Sequence, residues 1–239
     1  MPLENQVIIV TGSSRGIGQA IALLFSREGA RVVVVSRHVD ACETVAGRIR
    51  SEGGQALVVP TDVADEAQVA HLVQATLAHF GRVDGLVNAA GIGLLVALPD
   101  TTLEMWQRTL DVNLTGTFLC CRAVWEPMAR QGGGHILNIS SSVVKDPHAG
   151  WSAYCASKAG VVALTESLAK EGYPLGIRVN VLLPGATATK MRLTNFPSDD
   201  PAQLLAPEDV AKVASFFFAD AATHLYGANL EVRKRPRGL

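Results

Sequence analysis

The sequence predicts one α/β domain, a doubly wound parallel sheet of about seven strands flanked by helices. Three observations carry this. Short, nearly continuous apolar runs recur along the chain, which fits strands buried on both faces. Between them lie segments of helical periodicity about ten residues long or more, as crossovers between parallel strands require. Nothing in the 239 residues reads as a linker or a repeat, so a single domain over 1–239 is expected.

The elements follow in order. QVIIVTG (6–12) is a buried strand, and helical periodicity from Ile17 stops at Gly29, a C-cap residue. The strand 30–36, the helix 40–54 and the strand 55–63 repeat the rhythm, followed by the helix 66–81 and the strand 84–91. One long helix is predicted from about Thr102 to Arg130, then a strand over 134–141 and a helix through Tyr154 to about Glu171. The strand 176–185, the helix 206–219 and a last strand over 227–233 complete the set. Only 186–206 reads as a long irregular segment, which in a compact domain is usually a functional lid or disordered.

Composition excludes several classes. The 21 basic residues nearly balance the 22 acidic ones, so no general affinity for nucleic acid or an anionic membrane is expected. No apolar run approaches the ~18 residues of a membrane span. The opening MPLENQVIIV lacks the basic and apolar regions of a signal peptide. Cys42, Cys120, Cys121 and Cys155 show no CxxC spacing, so free thiols, a reducing cytoplasmic setting and no metal site are expected.

Ligands of such a sheet bind beyond the carboxyl ends of its strands. After the first strand comes TGSSRGIG, with Gly12, Gly16 and Gly18 spaced GxxxGxG. Glycines permit a tight turn and close backbone approach, and the following helix N-terminus offers free N–H groups to a pyrophosphate. Ser14, Arg15 and Ile17 belong to the same turn. The second strand ends in Ser36, Arg37 and His38. A carboxylate there would bind a ribose 2′-hydroxyl, whereas a basic residue receives a 2′-phosphate. Arg37, with Arg15 in reach, points to NADP(H) rather than NAD(H), since a guanidinium suits phosphate geometry.

In SAYCASKAG, Tyr154 and Lys158 stand four apart and share a helix face. A free phenol has a pKa near 10, and a nearby ammonium together with the cationic oxidised nicotinamide would lower it by stabilising phenolate. Tyr154 is therefore a candidate general acid in reduction and base in oxidation.

These motifs together resemble the short-chain dehydrogenases/reductases over nearly the whole chain. They are TGSSRGIG, Asp62–Val63, NAAG at 88–91, Asn113 in DVNLTG, ISSS at 139–142, YCASK at 154–158 and PGATAT at 184–189. The resemblance implies a Rossmann-like fold and a catalytic tetrad of Asn113, Ser141, Tyr154 and Lys158. Ser141 would bond the substrate oxygen as charge develops there, Asn113 would support a water-linked proton path to the lysine, and Lys158 would also hold the nicotinamide ribose. Asp62, Val63, Asn88, Ala90 and Gly91 would contact the adenosine side, while Pro184, Gly185, Thr187 and Thr189 would turn over the nicotinamide. Ala89 replaces the family's usual asparagine.

Leu94, His148 and Trp151 are candidate substrate contacts. The resemblance implies an oxidoreductase interconverting a carbonyl and a secondary alcohol. A 3-oxoacyl-thioester reductase, similar to those acting on acyl carriers, comes first. A broad ketone or aldehyde reductase and a silent dinucleotide sensor are the alternatives. Arg130 is the one basic residue noted for an acidic carrier. A homodimer or homotetramer is expected, and 233–239 reads as a basic, solvated tail.

Overall fold

Val7, Ile8, Ile9 and Val10 are all fully buried, and they face opposite ways. Ile8 and Val10 enter one apolar cluster, whereas Val7 and Ile9 enter another. Val32 and Val34 divide from Val33 and Val35 in the same manner. This is the signature of a sheet covered on both faces, and it explains why these strands read as continuous apolar runs. Each such side chain contributes about 1.5–3 kcal/mol by leaving water.

The computed structural model describes residues 2–234. Its seven strands are β1 (Val7–Thr11), β2 (Arg31–Val35), β3 (Gln55–Val58), β4 (Gly85–Asn88), β5 (Gly134–Ile139), β6 (Ile177–Pro184) and β7 (Asn229–Val232). They form one sheet in the order β3-β2-β1-β4-β5-β6-β7, and every pairing is parallel. The helices are α1 (Gly16–Arg27), α2 (Val39–Ser51), α3 (Glu66–Phe80), α4 (Leu103–Leu110), α5 (Gly116–Arg130), α6 (Ser152–Gly172), α7 (Lys190–Asn195) and α8 (Pro207–Phe218). Helices α1, α2 and α8 cover one face, and α3, α5 and the C-terminal half of α6 cover the other. The predicted fold class is the observed one.

Three expectations need correction. The single helix over 102–130 is divided: α4 runs into a π-helical turn, Asp111–Thr115, before α5 begins. Such turns widen a helix locally and favour functional positions; this one carries Asn113. The strand over 55–63 stops at Val58. Pro60 has no N–H for a ladder, although Thr61 N still reaches Ser36 O at 3.0 Å. Finally, 186–206 is ordered. It contains α7, a Thr187–Leu205 bridge and a turn at Pro201–Gln203.

The strand order reverses between β1 and β4. A crevice opens there at the carboxyl ends of the strands, and Thr11 ties its two walls together. Its hydroxyl accepts from Ala89 N and Ala90 N at 3.1 and 3.2 Å.

Candidate active site

A cleft of about 350 Å³ lies at this switch point and runs from the β2 end to α7. Most residues singled out in the sequence line it. Gly12, Ser14, Arg15, Gly16, Ile17 and Gly18 form its base, and Arg37, Asp62 and Val63 one end. Ala90 and Gly91 form the middle, and Pro184, Gly185, Thr187 and Thr189 the far wall.

The glycine turn holds β4 close. Gly12 has φ 67°, and a Cβ on it would stand 2.7 Å from the Ala90 nitrogen. A Cβ on Gly18 would meet the Gly12 carbonyl oxygen at 2.4 Å. At the start of α1 no side chain caps the helix, and no acidic residue stands in its first turn. Its leading N–H groups therefore meet the cleft with their partial positive charge unspent. Uncapped amides beside a glycine floor fit the pyrophosphate of a dinucleotide.

At the adenosine end the predicted phosphate cation is already engaged. Asp62 Oδ2 lies 3.7 Å from Arg37 Nη1 and 3.0 Å from Arg108 Nη2, while Oδ1 accepts from Ala64 N at 3.1 Å. Burial works to raise the Asp62 pKa, but these hydrogen bonds and the two guanidinium charges hold it below the usual carboxylate value. Two cations around one carboxylate leave this end net positive. Arg108 was not expected from the sequence, because nothing in α4 marks a side chain that reaches across to Asp62.

At the nicotinamide end, Ser141, Tyr154 and Lys158 line the cleft together. Lys158 is 6% exposed, and its ammonium donates to the Ile139 carbonyl at 2.8 Å. Ser140 Oγ donates to the Lys158 carbonyl at 2.8 Å, which ties α6 to the end of β5. Burial brings the Lys158 pKa down to about 8. The Lys158 ammonium stands 5.8 Å from the centre of the Tyr154 ring.

The expected fall in the Tyr154 pKa is not found in the free protein. Burial pushes the phenol up to about 12, with hydrogen bonding from Ser141 pulling the other way. Desolvation of phenolate outweighs the nearby partners. The phenol is therefore held protonated at neutral pH.

Asn113 is wholly buried and does not line the cleft. Its amide brackets Ile92, accepting from Ile92 N and donating to Ile92 O, both at 2.8 Å. It also donates to Ser157 Oγ at 3.0 Å, and Ser157 donates to the Tyr154 carbonyl at 2.8 Å. Asn113 thus fixes the backbone beside Tyr154. Ser157, the link between them, was missed because a serine among small helical residues carries no signal.

Two further residues sit elsewhere than expected. Asn88 turns into the core, donating to Asn138 Oδ1 at 2.9 Å, rather than lining the cleft. The last residue of β4 points its side chain under the sheet, and the adenosine wall is left to Ala89 and the backbone. Leu94 is 54% exposed and faces away; its neighbour Gly93 takes the inner position, where a Cβ would lie 3.0 Å from the Tyr154 ring. His148 and Trp151 do line the cleft. With Phe196 they form an aromatic wall, Trp151 standing 4.7 Å from Tyr154 and 5.4 Å from Phe196 between ring centres.

Beyond β7 the chain does not behave as a free tail at once. Lys234 donates to the carbonyls of Ala202 and Leu204, and Arg233 pairs with Glu231. Arg235 and Arg237 lie outside the described residues.

A parallel sheet with a glycine turn and an uncapped helix at its switch point is the arrangement of a dinucleotide-binding protein. The chain belongs to the short chain dehydrogenase family, whose model matches residues 6–200. It is 39% identical over 238 residues to a 3-oxoacyl-[acyl-carrier-protein] reductase of Synechocystis sp., covering 96% of each chain. It is 37% identical over 242 residues to a D-threitol dehydrogenase of Mycolicibacterium smegmatis, covering 96% of this chain and 92% of that one. A solved short-chain dehydrogenase/reductase from Mycobacterium ulcerans superposes with a TM-score of 0.92 at 29% identity, over 97% of this chain and 90% of the other. The protein is accordingly an oxidoreductase acting on a carbonyl/alcohol pair.

Proposed function

We propose that the protein reduces the ketone of a 3-oxoacyl thioester with NADPH, with Tyr154 as the proton donor. The observation that carries the reading is the buried phenol, held protonated beside Ser141 and Lys158 in the cleft. A dinucleotide bound in the cleft would supply hydride to the carbonyl carbon. Tyr154 gives its proton to the carbonyl oxygen, and Ser141 donates a hydrogen bond to that oxygen as negative charge grows. Lys158, anchored on the Ile139 carbonyl, keeps a donor beside the phenol and holds the ribose. Asn113 orients this group through Ile92 and Ser157.

Preference for NADP(H) follows from the end of β2. Arg15, Ser36, Arg37 and His38 line the cleft there. The one acid in reach, Asp62, is offset by both Arg37 and Arg108. A 2′-phosphate adds negative charge where two guanidinium groups share one carboxylate.

The thioester assignment draws on the carrier-linked relative, whose similarity spans 96% of this chain. A second reading, a general ketone or aldehyde reductase, is favoured by the lid: α7 has six residues and already packs close to the site. Exposed Leu103, Met105 and Phe118 on α4 and α5 support a homodimer or homotetramer. No described helix is long and apolar enough to cross a membrane; action in the cytoplasm is part of the same reading.

The test is a titration of NADPH and NADH by fluorescence, then turnover against an acetoacetyl thioester, simple ketones and aldehydes. NADPH-dependent turnover favouring the thioester supports the first reading. Turnover with simple carbonyls alone supports the second, and tight binding without turnover supports a sensor.

A further inference from the structure

Trp151 poses a problem that the proton-transfer group does not solve. It is 6% exposed, lines the substrate end of the cleft, and its indole Nε1 is buried with no hydrogen-bond partner. A buried donor without an acceptor is costly and rare in native structures. Phenylalanine or leucine would fill the space without that cost. The ring's aromatic neighbours are Tyr154, Phe196 and His148, at 4.7, 5.4 and 6.2 Å between centres, and no described residue accepts from its nitrogen.

The position of the ring says what the missing acceptor is. Trp151 stands immediately before α6 and packs on the ring whose hydroxyl meets the reacting oxygen. We infer that the Trp151 indole N–H donates a hydrogen bond to a second oxygen of the substrate, a few bonds from the reacting carbonyl carbon. The substrates recognised are then carbonyl compounds with an acceptor beside the ketone, such as 3-oxo esters and thioesters or hydroxyketones, in preference to plain ketones. The nitrogen is sealed from solvent in this structure, so the acceptor reaches it only as the packing around the ring shifts. A site built to bond an oxygen rejects an analogue lacking it, because its own polar group stays unpaired.

This rests on the carbonyl-reductase reading, and the experiment separates the two. The chain has three tryptophans, so ¹⁵N-labelled protein saturated with NADP⁺ gives three indole N–H resonances, assigned with Trp106→Phe, Trp125→Phe and Trp151→Phe. Titration with ethyl 3-oxobutanoate should move the Trp151 resonance downfield, and heptan-2-one, of similar length, should not. In turnover, Trp151→Phe should lower the ratio of kcat/KM for the ester over the ketone about tenfold. A Trp151 resonance that ignores the ester, or an unchanged ratio, overturns the inference. If neither compound is reduced by the unmutated protein but the resonance moves with the ester alone, the reductase reading fails and the recognition stands. Should Trp151→Phe fail to fold, the other two variants still assign the resonance.

Discussion

The Asn195 side-chain amide donates to the Gly93 carbonyl at 3.1 Å, joining residues 102 apart in sequence. The same side chain accepts from Leu95 N at 3.0 Å and donates to Met191 O at 2.9 Å. One residue therefore fastens α7 to the loop after β4, over the face of Tyr154 on which Gly93 rests. That side chain makes two hydrogen bonds between the lid and the loop, beside the packing of Phe196 on Trp151.

Removing those bonds should loosen the substrate more than the dinucleotide. Asn195→Ala is expected to raise KM for carbonyl substrates about tenfold, as loss of two cross-links implies. The dissociation constant for NADPH should stay within about twofold, since the glycine turn and α1 are untouched. Steady-state kinetics and a fluorescence titration check this. A parallel rise in both constants would mean that Asn195 merely supports the fold. Asn195→Asp, which keeps the acceptor and loses the donor, should fall between.

Tyr154→Phe should bind NADPH as the unmutated protein does and lose about 10²- to 10⁴-fold in turnover, the scale of a lost general acid. The phenol oxygen is the only atom removed, and the ring keeps its contacts with Trp151 and Gly93. Full activity in this variant would sink the proton-donor assignment.

The strands were legible because burial on both faces leaves an unbroken apolar run, as over Val32–Val35 in β2. The glycine turn was legible because Gly12 and Gly18 stand where a Cβ would meet backbone. What stayed hidden depends on contacts distant in sequence. The π-helical turn around Asn113 has no periodicity of its own within a long helical pattern. Helix α7 is too short for a repeat to show. The inward turn of Asn88 and the outward turn of Leu94 are set by neighbours from β5 and α6. At Tyr154 the neighbouring cation could be read from spacing, whereas the depth of burial that raises the phenol's pKa could not.

Arg37→Asp should reverse the cofactor preference. The change removes a guanidinium from the β2 end and sets a second carboxylate near Asp62, repelling a 2′-phosphate. The ratio of kcat/KM for NADPH over NADH should fall at least about tenfold, even though Arg37 is half exposed and its charge is partly screened. Arg108→Ala should act in the same direction and more weakly. Losing the closer cation leaves Asp62 to hold Arg37 alone, so less of its charge is free for phosphate. A ratio that ignores both changes would remove the basis for NADP(H).

His135, inside β5, should make the fold sensitive to mild acid. It is 2% exposed and packs between the helix α8 aromatics and Asn180, with Phe218 at 4.3 Å between ring centres. Asn180 Oδ1 accepts from Ala228 N at 2.8 Å, which sets the amide's orientation, so its Nδ2 must donate to His135 Nε2 at 3.1 Å. The proton then sits on Nδ1, which is buried without a partner. Burial, with the charge of Arg178 adding to it, holds the His135 pKa well below its usual value. Unfolded chain takes up a proton near pH 6.5, while folded chain does not. The stabilisation is therefore present above pH 6.5 and is lost as pH falls, by about 1.4 kcal/mol per pH unit until His135 itself protonates. Urea unfolding should show a loss of about 1.4 kcal/mol in all between pH 7.5 and 5.5, most of it below pH 6.5. His135→Phe should reduce the loss by that amount whatever its own stability at pH 7.5, and a variant that keeps the full loss would place the acid sensitivity elsewhere.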